Sequence, residues 1–123
     1  MTEDTTSRLR AELRRVADEG GPGADDAEIA LGSGQIRQRL RSSILALARH
    51  RGPDSSICPS DAARAIGGQT WRDLMPDARE LARELVAAGH VVITQRGEAL
   101  DPNAQWSGPI RITARRARDA DVR

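Results

Sequence analysis

At 123 residues and a net charge of +1, the chain has room for one domain. It contains no Phe, no Tyr and two Trp, so its interior must be built from Leu, Ile, Val and Ala, a small core whose modest stability dimerisation would extend. All 19 basic residues are Arg and there is one Cys, which excludes a phosphate-loop lysine, a Schiff-base lysine, an internal disulfide and a thiolate zinc site. No early apolar run resembles a signal peptide and none approaches membrane-spanning length, so a cytoplasmic protein without membrane, metal or cofactor is expected.

The near-neutral total conceals a polarity. Residues 1–34 carry a net −4, residues 35–114 a net +3 and residues 115–123 a net +2. In "TTSRLRAELRRVADEGGPG", Leu9, Leu13 and Val16 fall on one helical stripe that Gly20, Gly21 and Pro22 stop. A helix of about thirteen residues does not hold alone in water, so this one docks or frays. The Gly-, Asp- and Ala-rich stretch 20–34 reads as a linker, making 1–34 an acidic helix plus linker ahead of a body spanning 35–114.

"SGQIRQRLRSSILALARHRGP" predicts the first helix of the body, capped by Ser33 or Gly34 and ended by Gly52-Pro53. Ile36, Leu40, Ile44 and Leu47 form its inward stripe, while Leu45 points away, toward the N-terminal helix or a second subunit. "SSICPSDAARAIGG" is a brief extended step into a short helix, with Pro59 at its first position and Asp61 in its first turn. Ahead of "WRDLMPDARELARELVAAG", Thr70 and Asp73 stand at capping-box spacing. Leu74, Ala78, Leu81 and Leu85 make the stripe of this third helix, and Pro76 should kink it or split off its first turn. Val91 to Gln95 is β-branched and short, Arg96-Gly97 a tight turn, Glu98 to Leu100 the return, and Pro109 to Thr113 a further strand after a loop. The tail "ARRARDADVR" reads as disordered, with non-specific phosphate affinity.

The order of helix, short helix, longer helix and hairpin predicts a mainly α protein with a small β-hairpin, an α+β winged helix-turn-helix with an added N-terminal helix. The stretches "ICPSDAARAIGG", "WRDLMP", "GHVVITQRG" and "GPIRI" resemble the successive signatures of an uncharacterised family of short bacterial winged-helix proteins. The resemblance runs from about Ile36 to Thr113. It implies the fold and supplies no activity, and the acidic front and arginine tail lie outside it.

Candidate contacts follow from the predicted helix and wing. At 100° per residue, Arg79 and Arg83 lie within about twenty degrees of Arg72, on the side of the third helix away from its apolar stripe. Such a row can reach base edges and phosphates in a major groove. Gln69 and Thr70, just before that helix, can touch a phosphate. Against this, Asp73, Asp77, Glu80 and Glu84 form a second row, leaving the helix at −1, and carboxylates repel phosphate. The first body helix carries Arg37, Arg39, Arg41, Arg49 and Arg51 with no acid, spread around its circumference, so Arg37 and Arg41 join the candidate nucleic-acid contacts. Arg96 at the wing tip is suited to a minor groove. Two tryptophans make a poor stacking platform for single strands. Trp71 is expected in the core, and Trp106 in an exposed loop, where it and Leu45 can meet a partner.

No enzyme is expected. His50 and His90 lie on separate elements, "GSG" at 32–34 lacks the context of a nucleotide loop, and Cys58 before Pro59 reads as a small buried residue, with redox sensing as its alternative. The primary reading is therefore a duplex-DNA-binding, transcription-regulator-like module. The alternative is a protein-interaction or homodimerisation module without nucleic acid. A third expectation is that the acidic front folds back on the arginine-rich first body helix and competes with phosphate.

Overall fold

A computed structural model of the protein describes residues 2–115, with side chains from Thr5 onward. The first helix, α1 (Thr2–Glu19), is docked: Leu9, Leu13 and Val16 are all buried. Residues 20–34 are not a linker. They hold a second helix, α2 (Ala24–Leu31), whose inward residues are Ala27 and Ala30. Alanines three apart give little hydrophobic signal in a sequence, yet their small side chains let backbones approach closely. Gly23, at φ +87°, marks that approach, since a Cβ there would lie 2.8 Å from the Ala46 carbonyl oxygen.

Helix α3 (Ile36–Arg51) starts after Gln35, which takes the cap position expected of Ser33 or Gly34 and makes no side-chain capping bond. Ile36, expected to face inward, is 43% exposed because it opens the helix before any neighbour covers it. From Ser42 to Ala48 every residue is buried. A helix buried all round needs partners on several sides, and α3 has them in both N-terminal helices and the rest of the body. Its buried Ser43 hydroxyl donates to the Ala62 carbonyl at 3.0 Å. Helix α4 (Pro59–Gly67) is opened by Cys58, whose N–H donates to Asp61 Oδ2 at 3.0 Å.

The third helix of the body is split at Pro76, as its missing donor predicts. A 3-10 run over Gly68–Leu74 precedes α5 (Met75–Ala87), with Pro76 in its first turn. Thr70 does not cap it. Its hydroxyl donates back to the Gly67 carbonyl at 2.8 Å. Strands β1 (Val91–Gln95), β2 (Glu98–Ala99) and β3 (Arg111–Ala114) form an antiparallel sheet of order β2-β1-β3. Ile57 adds a single bridge on the outer side of β3, exchanging two backbone bonds with Ile112 at 2.8 and 2.7 Å. The fold is thus mainly α with a small sheet, α+β as expected. One aliphatic core takes residues from every helix and from β1 and β3, so the front helices share it with the body. No helix among the described residues is long and apolar enough to cross a membrane. The arginine tail from residue 116 lies outside the described residues.

Candidate functional site

Helix α5 was expected to offer an arginine row to solvent. Its two inner members turn to the loop 101–109. Arg79 donates to the carbonyls of Trp106 at 3.1 Å and Gly108 at 3.3 Å. Arg83 donates to Pro102 at 2.7 Å and Ala104 at 2.5 Å, with its guanidinium carbon 4.1 Å from the centre of the Trp106 ring. Trp106 is therefore 9% exposed, not the free anchor expected, and its indole N–H donates to the Asp101 carbonyl at 2.9 Å. Neutral carbonyls drew these arginines in, a pairing that charge patterning cannot show.

The face of α5 that does look outward carries Glu80 and Glu84, both exposed. Arg37 of α3 reaches across to them, donating to Glu84 at 2.9 Å and to Glu80. Those two hydrogen bonds, Glu84's foremost, hold the Arg37 guanidinium above its ordinary pKa. A helix entering a major groove by this face would bring two carboxylates to the phosphates.

The other arginines of α3 are largely committed as well, and here the acidic front does fold back. Arg51 makes a bidentate pair with Glu12 of α1 at 2.9 and 3.1 Å, and also donates to the Ser56 carbonyl at 3.2 Å. Arg49 pairs with Asp26 of α2 at 2.7 Å, and Arg39 donates to the Ala30 carbonyl at 2.9 Å. Arg41 is half-buried without a hydrogen bond or ion pair among the described residues. His90 Nδ1 lies 3.4 Å from Arg49 Nη2, and its pKa is lowered by burial first and then by Arg49 and Arg41, with Asp26 opposing. Leu45, expected to receive the N-terminal helix or a second subunit, is 2% exposed within the single chain, because α1 and α2 cover the side of α3 that the body leaves open.

Two groups of predicted contacts stay accessible. Arg96 sits at the β1–β2 turn with φ +54°, followed by Gly97 at +85°, and makes no side-chain hydrogen bond or ion pair among the described residues. An open groove of about 870 Å³ lies beside it, lined by Gln95, Glu98, Leu100, Pro109 and Arg111 among others. Arg111 is partly spent on Ser56 (2.9 Å to Oγ, 3.1 Å to its carbonyl) and on Cys58 Sγ at 2.6 Å. The second group is the start of the 3-10 run, where Gln69, Thr70 and Arg72 are exposed. Arg72 lies 4.6 Å from the centre of the Trp71 ring, and Arg64 of α4 lies 4.1 Å from it. Trp71 is 8% exposed, a core residue as expected. Arg64 was not singled out in the sequence. Its position on the short helix just before the Gly67-Gly68 turn into Trp71 was the available signal.

Cys58, His50 and His90 lie on different elements, and among the described residues no group of three or more His, Cys, Asp or Glu side chains is placed to hold a metal. No curated protein matches the chain. A family model does, over residues 37–115, a span that includes all four signature stretches, β1 to β3 and the arginines of α5. The chain accordingly belongs to the family described as "Protein of unknown function (DUF3253)".

Proposed function

We propose that this protein is a cytoplasmic, non-catalytic winged-helix module that holds duplex nucleic acid by its phosphate backbone, at the wing tip and at the turn before α5, without inserting α5 to read bases. The winged-helix assignment is supported by the order α3, α4, α5, β1, β2, β3 and by the Ile57–Ile112 bridge, which places an extended residue between the first two body helices at the edge of the sheet. The observation that carries the functional reading is the sorting of the arginines. Those along the middle of α5 bind the protein's own carbonyls, whereas Arg96 and Arg72 at either flank remain exposed. Contacts of this kind position a duplex without specifying sequence.

The test is a titration of mixed-sequence duplexes across a salt series. Backbone holding gives weak binding, little preference among sequences, and a log–log salt slope of about −0.9 per phosphate neutralised. Absence of binding at low salt defeats the reading. A second reading, a protein-interaction or homodimer module, is favoured by the outward glutamates of α5 and the wing groove. It is recognised by a concentration-dependent mass in sedimentation with no salt-sensitive duplex binding.

A further inference from the structure

Trp71 gathers positive charge. Two guanidiniums, Arg64 and Arg72, lie 4.1 and 4.6 Å from one indole centre, and neither makes an ion pair among the described residues. Elsewhere in the body Arg37, Arg49, Arg51, Arg79 and Arg83 find carboxylates or carbonyls, while Arg41 and Arg96 have neither those nor a ring among the described residues. The indole face attracts each cation through its quadrupole, but it supplies no acceptor for their N–H groups.

The same place is short of acceptors in a second, independent way. The indole Nε1–H of Trp71 and the Nε–H of Arg64 are both buried and lack any hydrogen-bond partner among the described residues. Buried donors are ordinarily satisfied, and each one left alone carries the full cost of its desolvation. Trp106 shows the contrast within one chain: its ring also carries an arginine, yet its N–H is paired with the Asp101 carbonyl. Arg64, Trp71 and Arg72 thus bring together two guanidiniums and two buried donors that lack partners. A ligand rich in acceptors and carrying negative charge completes such a site.

We infer that Arg64, Trp71 and Arg72 form a phosphate clamp: the indole holds two guanidiniums ready, and an oxyanion of a phosphate group bridges them. Arginine suits this because its planar fork offers two parallel N–H donors to phosphate oxygens, and ring stacking limits the rotamer freedom lost on binding. Gly68 at φ +56° has open space where a Cβ would stand, and the exposed Gln69, Thr70 and Arg72 follow it, so the Arg72 side of the cluster faces solvent. The clamp rests on the proposed function for its ligand, a backbone phosphodiester, and adds Arg64 to the contact set.

The two indole N–H resonances of the full chain provide the test, assigned by their contacts to ring and chain protons. Inorganic phosphate, added at constant ionic strength against chloride, should shift the Trp71 resonance saturably and leave Trp106 in place. In Arg64→Gln and in Arg72→Gln, neither of which removes an apolar side chain from the core, the midpoint should rise several-fold, and further in the double variant. A short duplex should move the same resonance at much lower concentration. No Trp71 shift, equal shifts of both indoles, or a midpoint unchanged in the double variant overturns the clamp. If duplex binds with Trp71 unmoved, the clamp falls and the proposed function stands. If phosphate moves Trp71 and duplex does not bind, the clamp stands and the proposed function falls.

Discussion

Arg83 and Trp106 fasten the loop 101–109 to α5: the guanidinium stacks on the indole at 4.1 Å while donating to the Pro102 and Ala104 carbonyls on the same loop. One side chain thereby fixes both the ring and the backbone around it. Removing it in Arg83→Ala should cost about 1–3 kcal/mol, the usual range when hydrogen bonds from a charged group are lost. The Trp106 emission should shift to the red as the ring meets water. Arg83→Lys should restore little, because an ammonium cannot stack and span two carbonyls as a planar fork does. Urea denaturation with fluorescence detection checks both.

Acids of the front helices occupy two arginines of α3, Arg51 and Arg49. Glu12→Gln and Asp26→Asn remove the front-helix partners of Arg51 and Arg49 without cutting into the core, leaving Arg51 the Ser56 carbonyl and Asp61, whereas deleting residues 1–30 would strip Leu9, Leu13, Val16, Ala27 and Ala30 from it. The double variant should lose about 1–3 kcal/mol of stability, from charged hydrogen bonds, yet gain duplex affinity by ~3–10-fold at low salt. An unchanged affinity would show that the pairs serve folding alone.

His90 gives a pH signature. Burial and the nearby Arg49 and Arg41 lower its pKa in the folded protein, so the unfolded chain binds the proton more readily. The stabilisation is therefore present above the unfolded value of about 6.5 and declines as pH falls from there toward the folded value. His90→Gln should flatten the dependence of the urea midpoint between pH 7.5 and 5.5.

Arg96 occupies a turn position that left-handed backbone favours Gly or Asn to fill, and both central residues have positive φ, as a two-residue hairpin turn requires. Arg96→Gly should hold the hairpin or stabilise it by up to about 1 kcal/mol, since a side chain is strained in that region. Duplex affinity should fall in the same variant, with a shallower salt slope. Stability and binding moving in opposite directions would separate a contact residue from a structural one.

Gly23 tests the packing of α2. Gly23→Ala puts a methyl into the Ala46 carbonyl at a φ of +87°, so about 1–3 kcal/mol should be lost to backbone strain with more to steric displacement. Hydrogen exchange should show the protection of α2 falling first, ahead of β1 and β3.

The elements of the body were legible because their signals are local: apolar spacing for α3 and α5, Pro76 for the split, β-branching and Arg-Gly for the β1–β2 hairpin. Helix α2 was hidden because alanines at 27 and 30 mark close packing without marking hydrophobicity. The site was harder to read for a different reason. Helical angles place Arg72, Arg79 and Arg83 on one side, but where a guanidinium ends depends on the path of a loop twenty residues away in sequence. Carbonyl acceptors exist at every position of that loop and leave no trace in the residue string. Glu12 with Arg51 and Asp26 with Arg49 were foreshadowed only as an excess of opposite charge between front and body. The pairing on Trp71 required two arginines from different helices to meet.

Arg79 and Arg83 grip the 101–109 segment through main-chain oxygens, and among its side chains only Trp106 and Asp101 are drawn into that grip. Asn103, Ala104, Gln105 and Ser107 can therefore be exchanged for other residues while the path of the segment is kept. This part of the surface is free to take other side chains, whereas a change in the length of the segment would displace the carbonyls that the arginines hold.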